Sequence, residues 1–123
     1  MKKPNESQAP ITFDTVREIA LAMADAEEGT SYGTSAIKVR GRLLARLKED
    51  GVTIVVPCSF LDRDFLMQAE PEVFFFTDHY RDSELILIRL STVGREQLQD
   101  MLGRAWKHVW SQGPVKKRIR KRL

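Results

Sequence analysis

The chain has one cysteine, Cys58, and therefore no internal disulfide. A single thiol in a chain of this size fits a reducing compartment, so a cytoplasmic location is expected. Two histidines, His79 and His108, stand far from Cys58 and from each other, and no metal-ligand spacing results. Neither a metal nor a cofactor is expected. Apolar runs are short, none approaching the roughly 18 residues that span a bilayer, and no membrane association is expected. Met1-Lys2-Lys3 imitates the start of a signal peptide, but Pro4-Asn5-Glu6-Ser7-Gln8 follows where an apolar stretch would have to stand. There is no Gly-x-Ser-x-Gly elbow. Gly29-Thr30-Ser31-Tyr32-Gly33 lacks the Lys-Ser/Thr ending of a phosphate loop and leads into a strand pattern rather than a helix. It reads as a structural turn, and the chain as no enzyme, with no catalytic residues to assign.

What the chain does have is charge in unequal portions. Lys116, Lys117, Arg118, Arg120, Lys121 and Arg122 place six of the twenty basic residues in the last eight positions. Without them fourteen bases face seventeen acids, a net of −3, so the sequence pI of 9.2 belongs to the tail more than to the body. The 123 residues suit one domain with one core. Residues 1–11 are polar and aperiodic, an N-terminal segment expected to be flexible. Residues 12–112 form the domain, and 113–123 the basic C-terminal tail.

Within the domain, Thr12 is a helix N-cap, and Val16, Ile19, Ala20 and Met23 form one apolar stripe of a helix ending near Ala26. Glu27-Glu28-Gly29 reads as its exit loop. Ile37 and Val39 alternate with Ala36, Lys38 and Arg40, and Leu43, Ala45 and Leu47 alternate with Arg42, Leu44, Arg46 and Lys48, the two arms of a hairpin. Asp50-Gly51 predicts a type I′ turn into a third strand, Val52–Val56, ended by Pro57. Ser59 caps a short helix carrying Leu61, Phe65 and Leu66. Val73–Phe76 and Leu85–Leu90 are the next strands, and Ser91 or Thr92 caps a last helix with Leu98, Met101, Leu102, Ala105, Trp106 and Val109 on one side. The expected class is α+β in two layers, order α-β-β-β-α-β-β-α: an antiparallel sheet of about five strands with the terminal helices on one face.

Glu28-Gly29-Thr30-Ser31-Tyr32-Gly33, Lys38-Val39-Arg40-Gly41-Arg42-Leu43, Pro71 through Phe75, His79-Tyr80-Arg81 before the Ile86–Leu90 strand, and Trp106 together resemble the MmcQ/YjbR family over about residues 12–110. The resemblance implies a small α/β fold similar to type III secretion chaperones and a DNA-binding role, with no catalytic residues to carry over. Leu85 stands where a Trp is often found, which removes one stacking platform.

Three groups of residues are functional candidates. Lys38, Arg40, Arg42, Arg46 and Lys48 alternate onto one face of the hairpin, with Arg89 on the same side, and a row of cations on a rigid ribbon can track phosphates. The tail residues Lys116, Lys117, Arg118 and Arg120 offer the same charge more densely. In His79-Tyr80-Arg81-Asp82, Arg81 is a further phosphate contact, and His79 and Tyr80, with Tyr32, are candidate ligand contacts. Cys58 reads as a small buried residue, and Trp106 as core. The leading expectation is sequence-tolerant binding of DNA through its phosphates. The alternative is a protein-interaction or homodimerisation module, motivated by Leu44 and Val55 among the charges of the outer sheet face.

Overall fold

In the computed structural model, which describes residues 10–115, the chain forms α1 (Phe13–Leu21), β1 (Ala26–Ser31), β2 (Thr34–Val39), β3 (Arg42–Leu47), β4 (Thr53–Pro57), α2 (Phe60–Ala69), β5 (Phe74–Phe75), a 3-10 turn (Asp78–Tyr80), β6 (Leu85–Arg89) and α3 (Arg95–Ser111). All strand pairs are antiparallel, in the spatial order β1-β2-β3-β4-β6-β5. The α+β order is the expected one with a sixth strand added. The basic residues Lys116, Lys117, Arg118 and Arg120 lie outside the described residues, as do residues 1–9.

Local chemistry accounts for most boundaries. The Thr12 hydroxyl accepts the Asp14 N–H at 3.2 Å and the Ser59 hydroxyl accepts the Asp62 N–H at 3.1 Å, so both helix starts lie where the capping residues put them. α1 stops at Leu21, short of Ala26, because the chain turns there into β1. α3 is capped at Gly94, not at Ser91 or Thr92; the Gln97 side chain accepts the Gly94 N–H at 3.3 Å, and Thr92 instead bonds the Glu72 carbonyl at 2.7 Å.

β1 is the sixth strand, and its sequence AEEGTS is poor in strand formers. It exists because Tyr32 and Gly33 both take positive φ, 53° and 81°, in a two-residue turn that folds Ala26–Ser31 back onto β2. Pairing to a good strand overrides propensity here, and Glu27 and Glu28 on the outermost strand discourage edge-to-edge association. Asp50-Gly51 departs from expectation in the other direction. Only Gly51 has positive φ, and the loop is a longer one closed by Gly51 N–H to Lys48 O and by the Asp50 carboxylate accepting from Val52 N, Thr53 N and Thr53 Oγ1. Burial would raise the Asp50 carboxyl, but these three donors outweigh it and hold it below its ordinary value.

A bulge decides the faces. Ile37 pairs with Ala45 but the next residue, Lys38, pairs with Leu43, so Leu44 is the extra residue on β3. Directly opposed residues share a face. Lys38 and Leu43 therefore lie on one side, and Val39 and Arg42 on the other. Leu44 is fully buried in the main core, and Leu43 is turned out, the reverse of what simple alternation predicts. Two adjacent leucines make the exchange easy, since either can fill the core.

The main core lies between the sheet and α1 and α3, with Val16, Ile37, Val39, Ile54, Val56, Ile86, Ile88, Leu98 and Leu102 fully buried. Each such aliphatic side chain contributes about 1.5–3 kcal/mol by leaving water. The other face has no helix over it. There Val55, Leu87 and Tyr80 make a small second cluster with Phe75, Phe76 and Leu85.

Candidate functional site

The helix-free face carries a cleft of about 420 Å³, within the range of small-ligand sites. Leu43, Val55 and Leu85 give it an apolar base, and Tyr32, Arg46, Lys48, Glu49, His79, Tyr80 and Ser83 line the rest. Three separate stretches thus meet: the Tyr32-Gly33 turn, the end of β3, and the 3-10 turn before β6. Tyr32, His79 and Tyr80, singled out as ligand contacts, are brought together. Of the seven described cations proposed for phosphate, Arg46 and Lys48 join them.

Arg46 lies along the wall, only 5% exposed. Its Nη1 donates to Thr34 Oγ1 at 2.9 Å and to the Leu47 carbonyl at 3.1 Å, and its Nη2 to the Tyr80 hydroxyl at 3.4 Å. The Tyr32 ring centroid is 5.2 Å from the guanidinium. Lys48 Nζ lies 5.4 Å from the Tyr80 ring, whose other contact is the His79 ring edge-on at 4.8 Å. Glu49 reaches both cations, 3.5 Å from Arg46 and 3.9 Å from Lys48. Its own backbone N–H, and after it the charges of Arg46 and Lys48, hold the Glu49 carboxyl below its ordinary value.

The remaining five cations go elsewhere. Lys38 is on the same face, opposite Glu27 and Leu43 but away from the cleft lining. Arg89 is on that face too, yet it donates to the Pro71 and Glu72 carbonyls at 3.0 and 3.3 Å and lies 4.0 Å from the Phe75 ring. Arg40 and Arg42 are corrections to the single basic face. Arg42, moved across the sheet by the bulge, donates to the Gly113 and Gln112 carbonyls at 2.7 and 3.3 Å, closing the C-terminus of α3. Arg40, in the turn with φ 54°, pairs with Asp25 at 3.0 Å and lies 3.5 Å over the Trp110 ring, which stacks on Trp106. Trp106 donates its indole N–H to the Ala24 carbonyl at 2.9 Å. Arg81 is exposed and pairs with Asp78 at 2.5 Å.

Arg63 carries no signal in the sequence and is the residue on which the cleft's far wall depends. It is the buried residue of α2, while Leu61 and Phe65, the apolar residues that a helix pattern would bury, are 80% and 69% exposed. Its guanidinium donates to the carbonyls of Tyr80, Arg81, Ser83 and Leu85 at 2.9–3.2 Å and stacks 4.0 Å from the Phe76 ring. The acceptors are 17 to 22 residues away in sequence, beyond any local pattern.

Cys58 is buried, with its thiol pushed up to about 11 chiefly by that burial, so at neutral pH it stays protonated and a poor nucleophile. Among the described residues, no three His, Cys, Asp or Glu side chains cluster as metal ligands would. No described helix is long and apolar enough to cross a membrane. The tail begins close by. The Val115 N–H donates to the Arg40 carbonyl at 3.1 Å, and Val115 lines a neighbouring groove that shares Leu43 and Leu85 with the cleft.

An open antiparallel sheet roofed on one face by two helices, with a Tyr/Arg/Lys/His cleft on the other, defines a small two-layer α+β protein. The chain belongs to the YjbR family, whose model matches residues 21–108. The crystal structure of Deinococcus radiodurans protein DR2400, with the domain DUF419, shares the fold: TM-score 0.73 over 89% of this chain and 86% of that one, at 21% identity. No curated protein matches.

Proposed function

We propose that the protein is a non-catalytic, sequence-tolerant DNA-binding module of the cytoplasm, and that it holds single strands rather than duplex. The observation that carries this reading is the cleft, where an 87% exposed tyrosine stands beside a nearly buried arginine and a lysine. Unpaired bases stack on such a ring, and phosphates take the cations. A duplex would need the continuous basic ribbon that the bulge breaks up, with Arg40 and Arg42 spent on the helix side. The tail residues Lys116, Lys117, Arg118 and Arg120 add further charge for phosphates.

Fluorescence anisotropy with oligo-dT and with duplex, at several salt concentrations, tests this. Arg46 and Lys48 alone give a slope of log K against log salt of about −1.4 for a single strand, and each phosphate that the tail engages adds about −0.7. Duplex bound more tightly than single strand, or no binding at about 50 mM salt, overturns the reading.

A second reading rests on α2. Phe60, Leu61 and Phe65 are exposed on one helix, an apolar patch suited to a homodimer contact. Light scattering would then show a dimer that Leu61→Glu converts to monomer; a monomer at high concentration removes this reading.

A further inference from the structure

Arg46 is buried but not exhausted. Nη1 gives both its protons to Thr34 and the Leu47 carbonyl, and Nη2 gives one to Tyr80. A guanidinium has five N–H groups, so Nε–H and one Nη2–H have no acceptor among the described residues. Nε and Nη2 lie on one edge of the guanidinium plane, the edge that grips two oxygens of a phosphate side by side. Lys48 lies along the same wall, and the Glu49 carboxylate, 3.9 Å from it, meets Arg46 at Nη1, 3.5 Å away, and not at Nε or Nη2. Tyr32 supplies the second observation. Its φ of 53° is left-handed, a conformation costing a non-glycine residue about 1–2 kcal/mol, and Asn or Gly would satisfy the turn more cheaply. The fold gains little from an aromatic ring that is 87% in water, but a flat ligand gains a platform.

We infer that the cleft is a subsite for one unpaired, phosphorylated nucleotide, its base on the Tyr32 ring above Leu43 and Val55 and its phosphate on the Nε/Nη2 edge of Arg46 with Lys48 beside it. This rests on the nucleic-acid reading above and specifies it: the site takes the nucleotide as a unit, whether free as a nucleoside monophosphate or as the 5′-phosphorylated end of a strand. A cleft of about 420 Å³ has room for a single nucleotide.

Calorimetric titration of the full chain with thymidine 5′-monophosphate and with thymidine tests the phosphate contact. The monophosphate binds at least tenfold more tightly, and that advantage disappears in Lys48→Met and in Arg46→Lys. Lys48 is on the rim, so its variant keeps the test valid if Arg46→Lys does not fold. Equal affinity for the two ligands overturns the inference. Oligo-dT binding that the monophosphate cannot compete for also overturns it, but leaves the single-strand reading standing. Binding of the monophosphate without any oligo-dT binding upholds the subsite and overturns the single-strand reading. A 5′-phosphorylated oligo-dT bound at least fivefold more tightly than its unphosphorylated form identifies the strand end as the source; equal affinity of the two with monophosphate binding intact identifies the free nucleotide.

Discussion

Arg63→Leu lowers the unfolding free energy by about 3 kcal/mol and the melting temperature by about 10 °C. The side chain is 5% exposed and holds four carbonyls of the segment Tyr80–Leu85, with Phe76 on its face. Leucine fills part of the volume and donates nothing, so carbonyls that the folded chain keeps from water lose their partners, each at about 1 kcal/mol or more. Arg63→Lys recovers only part of the loss, because one ammonium cannot reach four acceptors in the geometry of a planar fork. Thermal and urea unfolding measure both. The same segment contributes Tyr80, Ser83 and Leu85 to the cleft, so Arg63→Leu also loosens that wall. A loss below about 1 kcal/mol would mean that water replaces the guanidinium without cost, and that the segment does not depend on it.

The fold was legible wherever one residue had one place to go. Ile37, Val39, Ile86 and Ile88 alternate and are all fully buried, and Ser59 could only cap a helix. It was illegible where two residues were equivalent or where the partner was distant. Leu43 and Leu44 are chemically interchangeable, and the bulge that selects Leu44 for the core also sends Arg42 to the helix side; the row of five cations fails at that point. Arg46 and Lys48, beyond the bulge, keep their outward face. β1 was hidden because a Tyr-Gly turn lacks the usual Asn or Asp of a two-residue hairpin, and AEEGTS resembles a loop until β2 pairs with it. Tyr32, His79 and Tyr80 were each suspect for their own chemistry, but their meeting depends on the strand order β3-β4-β6, which no local pattern encodes. Arg63 had no local signal at all, since polar residues on short helices are ordinarily solvated.

The claim that the bare face of the sheet is where a ligand binds stands on Tyr32 more than on any other residue. A tyrosine in left-handed conformation costs stability, and its replacement by asparagine, which tolerates that conformation, should leave the fold unchanged or up to about 1 kcal/mol more stable. The contact it gives up, between a ring 87% exposed and the Arg46 guanidinium 5.2 Å away, is worth no more than about 1 kcal/mol where the ring stands in water. Base stacking on an exposed ring is worth about 1–3 kcal/mol, so the same substitution should weaken single-strand binding by about fivefold or more. Stability and binding then move apart, which damage to the fold cannot produce. The decisive measurement is therefore the affinity of Tyr32→Asn for oligo-dT beside its unfolding free energy. Affinity down at least about fivefold with stability held or raised is the result expected; unchanged affinity in a folded Tyr32→Asn protein would contradict the assignment of the cleft.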